Sequence, residues 1–283
     1  MTVSMILKRM KSLAPQNELE EENAMKEAFH ECVLCALSES GLFEKAAFLG
    51  GTSLRILHGL ERFSEDIDLA LLTPDATFRF APFVNPIFEL LKEMGVKVTI
   101  KDKSEIEAKT LKRMIVKDSS LVHFLEFRPA YYKDKSLTVK IEVDSNPPPG
   151  ACTKLHYLNF PGPFSVQAYD LESCFAGKIH AILCRGFDKG RDWYDLLWYF
   201  RFKIQPNYAF LKAALFQQGP WSNQNLQIDV EWLRISLEEK AQSINWRQLT
   251  NDVAPFVRPR NLKELQLWHS DFFISQIRST FKY

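Results

Sequence analysis

Two carboxylates, spaced to share one face of a strand, stand just downstream of a double glycine. The segment Phe63-Ser-Glu-Asp-Ile-Asp-Leu-Ala-Leu-Leu72 puts Asp66 and Asp68 two apart, interleaved with Ile67, Leu69 and Leu71. A strand projects alternate residues to opposite sides, so both carboxylates share one face and the aliphatic residues take the other. Upstream, Ala46-Ala-Phe-Leu49 runs into Gly50-Gly-Thr-Ser53. Glycine adopts positive φ and lets a phosphate come close, and the Thr52 and Ser53 hydroxyls add donors there. Carboxylate oxygens are hard ligands that suit Mg²⁺, or Mn²⁺ in its place, an ion that bridges phosphate oxygens and activates a hydroxyl. These groups could therefore hold a metal-bound triphosphate for attack.

A bare Asp-x-Asp is also what a solvated strand end or an Asx turn looks like. The order is more specific, because Leu54, Arg55, Leu57, His58 and Leu60 between the two segments suit one short helix. Transfer chemistry on metals calls for another carboxylate from a neighbouring strand. Leu137 to Val143 alternates with period two, and Lys140-Ile-Glu-Val-Asp144 offers Glu142 and Asp144 on one face. Glu142 lies inside that run and is preferred. Asp144, at its end, is either the ligand instead or the start of an Asx turn before Asn146-Pro.

A second charged cluster follows. From Tyr169 to Arg185, Leu171, Phe175, Ile179 and Ile182 recur at helical steps, and Lys178 and Arg185 lie seven apart on one face. After the turn Gly186-Phe-Asp-Lys-Gly190, Arg191-Asp-Trp-Tyr-Asp-Leu opens another helix. Its two aspartates are i, i+3 neighbours, of which one could cap the helix while the other pairs with Arg191 or Arg185; Asp192 is taken as functional and Asp195 as structural. His58 and His180 are read as packing or surface residues.

The first segment resembles the opening motif of the polymerase-β-like nucleotidyltransferase superfamily. It is closer still to the AbiEii-type toxin branch, with Gly-Gly-Thr-x-Leu-Arg followed by Arg-x-Ser-x-Asp-x-Asp-Leu, a pattern that Arg62, Ser64, Asp66, Asp68 and Leu69 match. Lys178, the turn, and Arg-Asp-x-Tyr-Asp-Leu resemble the later motifs of that branch. The resemblance implies an α/β (α+β) fold: a polymerase-β-like catalytic domain with a mixed sheet over residues 1–160, and a mainly helical domain over 161–283. The nucleotide would lie in the cleft between them. It further implies Asp66, Asp68, Glu142, Lys178 and Asp192 as catalytic residues, the three carboxylates Asp66, Asp68 and Glu142 as metal ligands, and Gly50, Gly51, Thr52, Ser53, Arg62 and Arg185 as nucleotide contacts. The activity implied is Mg²⁺-dependent transfer of a nucleoside monophosphate from a triphosphate to an RNA hydroxyl, such as the 3′ end of tRNA, with loss of pyrophosphate. The biological role would be the toxin of a toxin-antitoxin pair, with a cognate antitoxin. A small-molecule acceptor, or a nucleotide- or antitoxin-binding module without turnover, are the rival readings.

With 283 residues, 46% of them hydrophobic, the chain can build a sizeable core. No apolar stretch nears the roughly 18 residues of a membrane span, and the start has the pattern of neither a signal nor a transit peptide, so a cytoplasmic protein is expected. Five cysteines make an odd count that argues against a disulfide framework. A net charge of +1 confines any nucleic-acid surface to local patches. Two candidates are the run Lys97, Lys101, Lys103, Lys109, Lys112, Arg113 and Lys117, and a C-terminal set of Arg258, Arg260, Lys263, Arg278 and Lys282; for both, a solvated helix or strand face is the preferred reading. A helix is expected over residues 20–40 and another over Phe83 to Met94, with strands over Val96 to Ile100 and Leu121 to Phe127. The Pro-rich breakers Asn146-Pro-Pro-Pro-Gly150 and Phe160-Pro-Gly-Pro163 suggest that the sheet ends near residue 160.

Overall fold

The computed structural model describes residues 3–104, 110–125 and 136–282. The chain divides into two compact units. The first comprises Met1–Gly59, Phe63–Pro147 and Thr153–Ala168, the second Leu60–Arg62, Pro148–Cys152 and Tyr169–Tyr283.

The first unit is built on a mixed sheet of seven strands among the described residues: β1 (Ala46–Leu49), β2 (Asp66–Leu71), β3 (Val98–Asp102), β4 (Leu111–Asp118), β5 (Leu137–Asp144), β6 (Thr153–Leu158) and β7 (Phe164–Tyr169). Their spatial order is β3-β4-β5-β2-β1-β7-β6. Strand β2 runs parallel to β5 and antiparallel to β1, β4 runs antiparallel to both β3 and β5, and β1 is parallel to β7. One sheet face is apolar. Ile67, Leu69, Met114, Val116, Val139, Ile141 and Val143 are all buried there, in one core with Phe29, Val33, Ile87 and Leu91.

Those last four residues come from α2 (Glu18–Glu39) and α4 (Ala81–Glu93). Helix α2 starts cleanly because the Asn17 side chain accepts a hydrogen bond from the Glu20 N–H at 3.0 Å, and three glutamates in its first turn suit the positive end of the helix dipole. It is buried along most of its length rather than on a single stripe. Two of its buried glutamates have cationic partners: Glu31 with Arg9 of α1 (Val3–Ser12), and Glu27 with Arg55 of α3 (Gly50–His58). A charged helix can be central on those terms.

Three expectations change. The sheet does not stop near residue 160, since β7 continues to Tyr169 with Val166 and Ala168 fully buried. Residues 121–124 form a 3₁₀ turn instead of a strand, because the Asp118 carboxylate accepts from the Ser120 and Leu121 N–H groups and bends the chain as β4 ends; Glu126 and Phe127 lie outside the described residues. The basic run contains β4, which period-two reading passes over because Lys112 sits on its buried side.

The second unit is helical: α5 (Leu171–Cys184), α6 (Gly190–Arg201), α7 (Tyr208–Gln217), α8 (Val230–Gln242), α9 (Trp246–Val253) and α10 (Ser270–Thr280). Helix α5 is capped by the Asp170 carboxylate, which accepts from the Ser173 N–H at 2.9 Å. Helix α6 begins at Gly190, where a Cβ would meet the Leu249 carbonyl oxygen at 2.1 Å, so only glycine lets α6 and α9 approach this closely. An aromatic core follows, with Trp246 stacked on Phe273 at 4.2 Å and Trp193 edge-on to both. All five cysteines are free thiols, and no described helix is long and apolar enough to cross a membrane.

Candidate active site

In the first unit the register places the predicted carboxylates side by side. Asp68 of β2 lies opposite Glu142 of β5, and Asp66 lies opposite Lys140. Opposed residues on paired strands point the same way, about 4.8 Å apart along the hydrogen-bonding direction. Asp66, Asp68 and Glu142 thus share the sheet face turned away from the core.

The glycine turn meets this face directly. Strand β1 delivers Leu49 opposite Asp68, and Gly50 follows with φ +80°, a left-handed conformation that opens α3. A Cβ at Gly50 would stand 2.3 Å from Asp68 Oδ2. Glycine is required here twice over, by its φ and by the carboxylate packed against it. The start of α3 carries backbone N–H groups without intrahelical partners, a ready anion-binding end.

The hydroxyls behave differently from expectation. Thr52 donates its hydroxyl to the Asp66 carbonyl oxygen, tying α3 to the start of β2, so it positions the carboxylate strand instead of facing a phosphate. Ser53 is fully buried, and its Oγ has no hydrogen-bond partner among the described residues. The preceding carbonyl, that of Glu65, is bound by His30 Nε2 of α2 at 2.9 Å. Burial lowers the His30 pKa to about 4, outweighing the opposing hydrogen bond to Glu65. The ring is therefore neutral near pH 7, with the proton on Nε2 where the carbonyl accepts it. Sequence reading did not single out His30, and nothing short of the three-dimensional packing links it to Asp66.

Cations partly balance the carboxylates. Arg113 of β4 donates from Nε to Glu142 at 2.7 Å, and Lys140 Nζ stands 3.8 Å from Asp66. Asp144 accepts from the Asn146 N–H at 2.9 Å, so it opens the Asx turn, and burial raises its pKa. Among the described residues no three His, Cys, Asp or Glu side chains are gathered closely enough to form a ready-made ion cage. The donor chemistry nevertheless fits Mg²⁺, an oxygen-seeking ion that keeps waters and needs only a few carboxylates.

The second unit gathers the remaining predicted residues into one buried network. Arg62 grips Asp195 with two hydrogen bonds of 2.6 Å. Lys178 Nζ lies 2.8 Å from both Asp192 and Asp195, and Arg185 completes the chain on Asp192. Arg62 and Asp195 are almost wholly buried. A direct nucleotide contact by Arg62 therefore gives way to a structural one, since its guanidinium is committed to a carboxylate in the interior. Burial alone would raise the Asp192 pKa, but Lys178 and Arg185 outweigh it and hold the carboxyl below its usual range. For Lys178, burial opposes the charge and the two aspartates restore it, so its pKa is raised. Among the described residues, Arg62, Lys178 and Arg185 thus meet Asp192 and Asp195 in one network. His58 stacks edge-on with His156, and His180 binds the Gln218 carbonyl, which leaves both in packing positions.

Comparison with known proteins agrees with this architecture. MenT4, a nucleotidyltransferase toxin of Mycobacterium tuberculosis, superposes with a TM-score of 0.58 at 15% identity, covering 100% of this chain and 90% of that one. JHP933 of Helicobacter pylori gives 0.54 at 13% identity, with 92% of each chain covered. At such identities the likeness establishes the shared fold. No curated protein matches in sequence. The family described as "Nucleotidyl transferase AbiEii toxin, Type IV TA system" matches residues 32–273, a span that holds both clusters. The chain belongs to this AbiEii family and is a nucleotidyltransferase, the toxin of a toxin-antitoxin system.

Proposed function

We propose that the chain transfers a nucleoside monophosphate from a nucleoside triphosphate to a hydroxyl of RNA, with the 3′ end of tRNA as the preferred acceptor. The observation that carries the reading is the row of Asp66, Asp68 and Glu142 on one sheet face, with the Gly50 turn packed against Asp68. Those three carboxylates would hold Mg²⁺ or Mn²⁺. Bound there, the ion supplies charge neutralisation on the phosphates and makes the acceptor hydroxyl a better nucleophile. The backbone N–H groups of Gly50 and Gly51 receive phosphate oxygens, Thr52 and His30 fix the strand that bears Asp66, and in the second unit Lys178 and Arg185 are both held on Asp192. Asp192 acts as a positioning residue that holds those two cations together. Catalysis of this kind is mostly orientation and electrostatic stabilisation. The setting is the cytoplasm, where triphosphates, RNA and the antitoxin meet.

The test is incubation with Mg²⁺, total cellular RNA and each nucleoside triphosphate labelled in its α-phosphate, beside an Asp68→Ala variant. Label on an RNA band from one nucleotide, absent with the variant, is the expected result. Nucleotide binding without label on any RNA would overturn the RNA acceptor and leave a small-molecule acceptor or a binder without turnover.

A further inference from the structure

The basic run that composition alone leaves as a solvated face acquires a direction from the strand register. Going outward from Asp66, the residues paired in turn are Lys140 on β5, Ile115 on β4 and Lys101 on β3. A neighbouring row pairs Thr138, Lys117 and Thr99. Paired residues share a face, so Lys140, Lys117 and Lys101 stand on the same side of the sheet as the catalytic carboxylates. All three are exposed. The described outward residues of β3 and β4 are Thr99, Lys101, Leu111, Arg113, Ile115 and Lys117, without a single acid. Lys101 and Lys117 have no carboxylate partner among the described residues. The face therefore changes sign across roughly three strand spacings, or about 14 Å, from carboxylates at β2 to lysines at β3.

That polarity suits a polyanion with a reactive end. We infer that the outward face of β3, β4 and β5, through Lys101, Lys117 and Lys140, binds the sugar-phosphate backbone of the RNA acceptor and leads its terminal hydroxyl towards Asp66 and Asp68. Lysines on a strand face contact phosphates as point charges and read no bases, so the surface confers affinity without sequence choice. A small uncharged or cationic acceptor would gain nothing from it. The C-terminal basic set is a poorer candidate, because Arg278 is held by Glu238 at 2.8 Å and Arg260 lies 3.7 Å from Glu61. The inference rests on the RNA reading above and adds where the RNA lies.

The experiment titrates fluorescently labelled bulk tRNA against the full chain in Mg²⁺ over a series of salt concentrations, comparing wild type with a Lys101→Ala/Lys117→Ala double variant and with Lys101→Arg/Lys117→Arg. Thermal melting checks folding, and binding of nucleoside triphosphate is measured in parallel. Removal of two phosphate contacts should weaken tRNA binding roughly ten-fold and lower the slope of log K against log salt by about 1.4, as counterion release on single-stranded RNA requires. The arginine pair should keep the wild-type slope, and nucleotide affinity should not change. A double alanine variant that binds tRNA with the wild-type slope, while wild type labels RNA, overturns this surface and leaves the RNA reading standing. A wild type that neither binds nor labels RNA overturns both.

Discussion

Arg62 shows what a motif match does and does not say about a residue. It falls on the family pattern beside Asp66 and Asp68, which invites a role on the substrate, yet the structure buries it with Asp195 in a two-pronged pair. Breaking such a pair from one side leaves a charge stranded in the interior, at a cost of about 3–5 kcal/mol. Here Lys178 also touches Asp195 and shares part of that burden, which favours the lower end. Arg62→Ala should therefore lose about 3 kcal/mol in denaturant unfolding, and Arg62→Lys should recover little of it, because an ammonium cannot match the bidentate geometry. An Arg62→Ala variant of wild-type stability with a raised nucleotide KM would instead return the arginine to the substrate. Residue types and spacing were enough to put Asp66, Asp68 and Glu142 on one sheet face, because a period-two strand fixes which side chains share a face. They were not enough to find the partner of Arg62, since Asp195 is distant in sequence and no local pattern joins them.

Elements carry the positioning that residues cannot supply alone. Helix α2 reaches the site through His30, whose imidazole binds the Glu65 carbonyl just before β2. The folded protein holds that ring at a pKa of about 4, against 6.5 for an ordinary histidine. Between those values the unfolded chain takes up a proton that the folded chain refuses, so stability is fully present above pH 6.5 and is lost as pH falls towards 4. The loss amounts to about 2 kcal/mol at pH 5. His30→Gln keeps a donor for the carbonyl but does not titrate. It should show a flatter loss of Tm from pH 7 to pH 5 than wild type, whereas equal slopes would mean that the histidine is not held neutral by the fold. The long helix itself was legible in its apolar spacing. Its burial on all sides was not, because the glutamates along it read as a solvent face until Arg9 and Arg55 are seen to answer them. Strand β4 was missed for the complementary reason: Lys112 occupies a buried position and breaks the alternation.

At the scale of the whole chain, the Pro-rich breakers near residues 146–163 mark turns rather than a seam. Strand β7 follows the last of them and lies between β1 and β6, so the sheet that carries Asp66 and Asp68 is completed by residues beyond 160. The second unit in turn draws in Leu60–Arg62 and Pro148–Cys152 from before residue 160. One of those residues is Arg62, partner to Asp195. A fragment of residues 1–160 would expose one side of β1 and lose the buried Val166 and Ala168, leaving unpaired backbone groups and apolar surface where a central strand should be. A fragment of residues 161–283 would keep Asp195 in the interior without its guanidinium. Expressed separately, neither piece should give a cooperative thermal transition by circular dichroism, while the intact chain should. If the 1–160 piece melted cooperatively and bound nucleotide, β7 would be dispensable to the sheet, and the path of the chain through the two units would be incidental to the site. The expected outcome instead makes the interleaving a condition of activity. The carboxylate face needs a strand from beyond the breakers, and the cation network needs an arginine from before β2, so neither half of the sequence holds a complete set of its own supports.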